Sequence, residues 1–250
     1  MEQTRIQSGF SLRRARFLQE ILIVGLGYLV YSQVRGMAGD RVSDAFANGH
    51  RIVELERDLG IFKELALQSY LLPHAAAVHL FNYVYFYGLF PLLLPTAVFL
   101  FLKRPHVYTL ARNAFLASGA IAVVFFLLLP TAPPRLLDIG FIDTLNRSLA
   151  PSYSSIPGVN HYAALPSMHV GWNFLTCLSL YLAFDGVRGR GLLLAIPVVM
   201  LTSTVVTGNH YFLDGLLGVI VAGAGLGAAL WLKRWQERRT MARLQAPSDL

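Results

Sequence analysis

The sequence predicts an all-α, polytopic membrane protein: a six-transmembrane-helix bundle with an outer-side interfacial amphipathic helix. Three observations carry that prediction. Hydrophobic residues make up 55% of the 250 and charged residues only 14%, whereas soluble domains carry about 25% charged residues. The apolar residues, at a mean hydropathy of +0.51, gather in runs close to the roughly 20 that a helix needs to cross a bilayer core about 30 Å thick. The basic residues, finally, sort the loops between those runs into two sides. The net charge of +7 is then read as membrane orientation, and no nucleic-acid partner is expected.

Taken in order, the first span is expected at about 17–34. It lacks a small-residue cleavage site and reads as a signal anchor. The second, at about 71–102, contains Pro91 and Pro95 and reads as one tilted or kinked helix, because prolines are tolerated inside spans. The third is expected at about 111–129 and is ended by the proline-rich stretch Pro130–Pro134. The fourth, fifth and sixth are expected at about 167–184, 191–206 and 211–232. A polar tail, 233–250, is expected to fray on the cytoplasmic side. Residues 1–250 read as a single membrane domain, and the lone Cys177 excludes an internal disulfide.

With the N-terminus placed in the cytoplasm, the inner segments carry fourteen Lys and Arg and the outer ones seven. Cytoplasmic loops are enriched in these residues, so both termini are expected inside. A cell (plasma) membrane is the expected location, and an organellar membrane fits the same charge pattern. Between the first two spans, Ser43–Ser69 places Ile52, Leu55, Leu59, Phe62 and Ala66 three to four residues apart, with Glu54, Glu56, Arg57 and Asp58 opposite. That periodicity predicts an amphipathic helix along the outer interface or a cap over the bundle.

Three polar clusters fall at span ends on the expected outer side: Pro130–Arg135, Ala164–His169 and Gly208–Asp214. Ionisable residues near membrane depth are costly and point to function. His210 and Asp214 are spaced so that one helix face carries both. The carboxylate can hold one ring nitrogen and leave the other as nucleophile or base. Pro166-Ser167 is a helix-start signal whose backbone N–H groups can receive anionic oxygens. His169, in the same first turn, can protonate a leaving oxygen, and Arg135 offers a forked cation to phosphate. Asn209 and Tyr211 flank the nucleophile and are further candidate phosphate contacts. Together these residues describe phosphoryl transfer through a phosphohistidine. His50, His74, His79, His106 and His161 read as packing residues.

Pro-Ser-Met-His followed about 40 residues later by His-Tyr-Phe-Leu-Asp resembles the type-2 phosphatidic acid phosphatase superfamily, nearest to the branch of inositol phosphorylceramide synthase and sphingomyelin synthase. The resemblance implies His210 as nucleophile, Asp214 as its partner, His169 as acid and Arg135 as phosphate ligand. It also implies no metal and no cofactor. Two cations of the superfamily pattern are missing: Leu128 stands where its first motif has Lys, and Thr204 where its last motif has Arg. Fewer cations suit a phosphodiester, so the expectation is a lipid phosphotransferase or phosphatase passing a phosphoryl or phospho-headgroup to an inositol-type alcohol or water. A phosphomonoester-hydrolysing lipid phosphate phosphatase is the alternative. A transporter or a catalytically inactive lipid-binding protein is the alternative of another class. The expected partners are a phospholipid or lipid phosphate in the bilayer and a small alcohol acceptor. Nothing in the sequence sets the oligomeric state.

Overall fold

The computed structural model describes residues 2–37, 41–148 and 161–245. The end of the expected tail, 246–250, lies outside the described residues. The described chain is all-helical: α1 (Glu2–Met37), α2 (Val42–Asp58), α3 (Glu64–Leu71), α4 (Ala75–Tyr87), α5 (Phe90–Lys103), α6 (Pro105–Leu128), α7 (Thr144–Ser148), α8 (Met168–Ala183), α9 (Ile196–Val206) and α10 (Phe212–Gln245). A 3-10 turn, Arg190–Ala195, leads into α9.

Three helices are long and apolar enough to cross a membrane, within Ala15–Gly36, Pro105–Leu128 and Phe212–Arg243. The pair α4 and α5 makes a fourth if it is taken as one broken span. The 16 residues of α8 fall short of the roughly 20 that a crossing needs, and the run Arg190–Val206 is shorter still than the long spans. Large apolar side chains cover the outside of the bundle, among them Leu22, Leu94, Leu102, Val198, Leu216 and Ile220. That surface suits a lipid solvent, in which apolar side chains need no burial against protein.

The core of the bundle is α10 packed on α6 and α8, with α1 against α6 and α9 against α8. Close approach of α8 and α10 depends on glycine. A Cβ on Gly218 would collide with the carbonyl oxygen of Ser167, and one on Gly171 would come 2.5 Å from the carbonyl of Gly218. Across the opposite end, Arg112 on α6 pairs with Glu20 on α1 at 2.5 Å, and Tyr108 donates to the same carboxylate at 3.3 Å.

Three expectations change. The second span is bent by 41°, and the break falls at Gly88–Leu89, ahead of both prolines. Pro91 sits in the first turn of α5, where a missing N–H costs nothing, so it starts a helix instead of kinking one. The segment 43–69 forms two helices, because Gly60, at φ +71°, turns the chain between them. Its faces also differ from the expected ones: Leu55 and Leu59 are 50% and 57% exposed, while Glu56 is fully buried. The tail does not fray at Lys233, since α10 continues to Gln245.

The pair α2 and α3 lies across the end of the bundle where α6 finishes and α8 and α10 begin. Asn48 donates to the carbonyl of Pro130 at 2.8 Å, and the Ala132 N–H donates to the carbonyl of Ala45 at 2.9 Å. Ala45, Ile52 and Val53 form an apolar cluster with Ala132, Leu137 and Tyr211. Of the two placements the sequence allowed, this contact pattern is that of a cap.

Candidate functional site

The three polar clusters meet under this cap, each tied to the other two by backbone. Pro130–Arg135 joins Ala164–His169 through a parallel bridge between Thr131 and Ala163, with the Thr131 N–H on the Tyr162 carbonyl at 2.7 Å and the Ala164 N–H on the Thr131 carbonyl at 3.2 Å. Ala164–His169 joins Gly208–Asp214 through the Ser167 N–H on the Asp214 carbonyl at 2.9 Å. The Arg135 N–H closes the ring by donating to the carbonyl of Gly208 at 2.9 Å. Polar backbone buried at this depth must find partners within the protein, and here each cluster supplies them to its neighbours.

Local conformation aims the side chains. Gly208 has φ +70°, the left-handed conformation that ends helices, and it reverses the chain after α9. The N–H groups of Asn209 and His210 then both reach back to the carbonyl of Thr204, at 2.9 and 3.1 Å. His210 is 5% exposed and Asp214 fully buried. Nδ1 of His210 lies 2.9 Å from the carbonyl oxygen of Ala164 and 3.2 Å from Oδ2 of Asp214. Two acceptors on one nitrogen require that nitrogen to carry the proton. The tautomer is thereby assigned by geometry, and Nε2 is left with its lone pair.

Ser167 is the N-cap of α8 without a side-chain cap bond, and the peptide before Pro166 is cis. His169 occupies the second position of α8. Its ring centroid is 6.1 Å from that of His210 and 4.7 Å from that of Tyr85. Arg135 is 9% exposed; its Nε donates to Oδ1 of Asn209 at 2.8 Å and its NH1 to Oδ2 of Asp143 at 3.4 Å. The Asn209 amide nitrogen is in turn held by the Thr207 hydroxyl at 2.8 Å. Asn209 is thus a mount for Arg135.

A cavity of about 510 Å³ opens onto this group. Of the expected residues, Arg135, His169, Asn209 and His210 line it. Asp214 stands behind His210. Pro166, Ser167 and Tyr211 are brought into the assembly but do not line the cavity. Tyr211 is fully buried on the far side, with its hydroxyl donating to the carbonyl of Ala132 at 2.9 Å.

Among the lining residues that were not candidates from the sequence, four stand out. Arg35, from the last turn of α1, reads there as one more loop charge, yet it lines the same cavity as Arg135, with its guanidinium 6.0 Å from the Phe126 ring. His161 read as packing and also lines the cavity. Tyr31 and Trp172, with ring centroids 5.0 Å apart, form an aromatic wall. The stretch 81–90 contributes Tyr85, Phe86, Tyr87, Leu89 and Phe90. The only sequence signal for Arg35 was its position at the outer end of the first expected span. Among the described residues, no group of three or more His, Cys, Asp or Glu could hold a metal ion.

One end of the helical bundle thus collects two histidines, a buried carboxylate and two arginines, a set of groups that can receive an anion. The family model of the PAP2 superfamily matches residues 50–228. The chain belongs to the PAP2 superfamily, and that membership supports a lipid phosphatase- or phosphotransferase-type function. The match takes in α3 to α9 and both histidine clusters, while α1 with Arg35 lies outside it. Comparison with curated proteins and with solved structures found no match.

Proposed function

We propose that this protein is a membrane-embedded enzyme that takes a phosphoryl or phospho-headgroup from a lipid and passes it to an alcohol, inositol-type, or to water, through a phosphohistidine on His210. One observation carries the reading: His210, oriented by Asp214, shares a single cavity with His169 and Arg135.

In the first step Nε2 of His210 attacks phosphorus, and the bond from phosphorus to the leaving oxygen breaks. Protonated His169 gives its proton to that oxygen. The positive charge that develops on the His210 ring is met by the buried carboxylate of Asp214, as a histidine's orienting acid does elsewhere. In the second step the acceptor hydroxyl gives its proton to His169 and attacks phosphorus, the bond to Nε2 breaks, and both rings return to their starting states. Arg135 receives the equatorial oxygens, held for that purpose by Asn209 and Asp143. No step draws on a metal or a cofactor.

The aromatic walls support a substrate whose tails stay in the bilayer while its phosphate enters the cavity. In this reading α8 and the run Arg190–Val206 complete six crossings, both termini are cytoplasmic, and the capped end with its site faces the extracytoplasmic side of a cell membrane. The motif spacing favours the inositol phosphorylceramide and sphingomyelin synthase branch.

Hydrolysis of a lipid phosphomonoester is a second reading, and Arg35 favours it. The diester expectation rested on two missing cations, and a second arginine at the cavity restores one. Phosphate release measured with and without added inositol separates the two: transfer predicts an inositol-dependent product, and acceptor-independent release of phosphate assigns the phosphatase. Substrate-dependent flux that survives His210→Ala would mark a transporter instead, and protein that never acquires label from phosphate donors would mark an inactive binding protein.

A further inference from the structure

The start of α10 is gripped by two acids that this chemistry does not use. Glu56 on α2 accepts the N–H of Leu213 at 2.8 Å, and Glu64 on α3 accepts the N–H of Phe212 at 3.0 Å. The preceding N–H, of Tyr211, donates to Oδ2 of Asp214 at 3.1 Å. Three successive amides directly after His210 therefore end on three different carboxyl groups. A helix leaves its first N–H groups unpaired, and a single capping side chain usually meets one of them. Here the turn at Gly60 brings α2 and α3 to the same helix end, and each contributes a fully buried glutamate.

Two carboxylates cannot both stay charged in such a place, because burial and mutual repulsion each favour a proton. Burial first, and then the hydrogen bond to Glu64, push the Glu56 carboxyl up to about 9. The titratable groups facing it are Glu64 on α3 and, at the start of α10, Asp214 and Tyr211. The Glu56 carboxyl therefore keeps its proton at neutral pH, and both side chains lie at a helix start, where the dipole is positive.

We propose that Glu56 and Glu64 are positioning residues for the nucleophile, a two-glutamate clamp on the first amides of α10 that keeps Asp214 aimed at Nδ1 of His210. The proposal rests on reading His210 as the reactive residue. Its mechanism is competition. With the clamp in place the N–H groups of Phe212 and Leu213 are satisfied, and Oδ2 of Asp214 serves only Tyr211 and His210. Without it, bare amides at the helix start compete for Asp214, which already accepts the neighbouring N–H of Tyr211. The carboxylate turns to cap them and His210 loses its partner. Glu56 and Glu64 touch neither the cavity nor the phosphate in this account; they act through Asp214.

The test uses the full-length protein in detergent with Glu64→Ala, Glu56→Ala, Glu64→Gln and Glu64→Asp. Gln keeps an acceptor oxygen in place, whereas Ala removes it and Asp withdraws it by one methylene. The first readout is the downfield Nδ1 proton resonance of His210, assigned with His210→Ala, together with amide exchange at residues 212 and 213. The second is kcat and KM on a dioleoyl phosphatidic acid and phosphatidylinositol panel. The clamp predicts that Glu64→Ala and Glu64→Asp lose the resonance and lower kcat on the order of 10²-fold with little change in KM, while Glu64→Gln restores both. If folded Ala or Asp variants keep the resonance and kcat, the proposal is overturned. It is equally overturned if Gln loses as much as Ala, or if activity falls only with the folded fraction. Because the resonance needs no turnover, a wild type that shows it but acts on none of these lipids counts against the enzymatic reading alone. Should Ala not fold, the Asp and Gln pair decides.

Discussion

Across one turn at the start of α10, Nδ1 of His210 faces Oδ2 of Asp214 at 3.2 Å, with both residues buried. The same nitrogen lies 2.9 Å from the carbonyl of Ala164, so two oxygens from two clusters fix one proton on Nδ1. Asp214→Asn presents an amide that can turn its NH₂ toward His210, and the tautomer is then no longer set. The expected result is a kcat lower by roughly 10²–10⁴-fold with KM nearly unchanged, read by steady-state kinetics in mixed micelles.

Arg135 is mounted through Nε on Asn209 and through NH1 on Asp143, which fixes the plane of its guanidinium at the cavity. Arg135→Lys keeps the charge but loses the fork and the mount, so it is expected to rescue little of the activity lost in Arg135→Ala. Asn209→Ala should raise KM and lower kcat less than either. Arg35→Ala should weaken binding of phosphomonoesters more than that of diesters, which inhibition by monoester and diester lipid analogues compares directly.

Burial makes Glu56 a stability switch. Folded protein keeps its proton up to about 9, whereas the unfolded chain releases it near the ordinary value of 4.5. Between those values the unfolded state binds fewer protons, so stability falls as pH rises and levels off above the folded value. Thermal unfolding in detergent between pH 5 and pH 10 is expected to show this decline in wild type and a flatter profile in Glu56→Gln.

Gly218→Ala places a methyl group against the Ser167 carbonyl. Backbone cannot yield as a side chain can, so α8 and α10 are pushed apart at the level of His169. A cost of about 1–3 kcal/mol is typical of overpacking. Gly223, where a Cβ meets nothing within 4 Å, is the control: Gly223→Ala should leave the unfolding temperature unchanged or raise it.

Helices and clusters were legible because their signals are local. Apolar runs marked α1, α6 and α10, the motif spacing picked out His169, His210 and Asp214, and the polar cluster at a span end picked out Arg135. What escaped depends on contacts between distant segments. Glu56 lies on what the periodicity suggested as the polar face of an amphipathic helix, Glu64 was not singled out, and only the amides of residues 212 and 213 explain their burial. Arg35 is one arginine among the loop charges until α1 packs on α6 and brings it to the cavity. Tyr211 sits beside the nucleophile in sequence, yet the helix start turns its side chain to the cap and away from the cavity. The break at Gly88 was masked by two nearby prolines with a stronger textual signal.

The most direct test of the account is turnover of a panel of phospholipids and lipid phosphates by purified wild type, His210→Ala and His169→Ala. The account predicts headgroup or phosphate release by wild type that is abolished in both variants, with acid-labile label trapped on wild type and absent from His210→Ala. Turnover that persists in either variant would contradict a histidine mechanism.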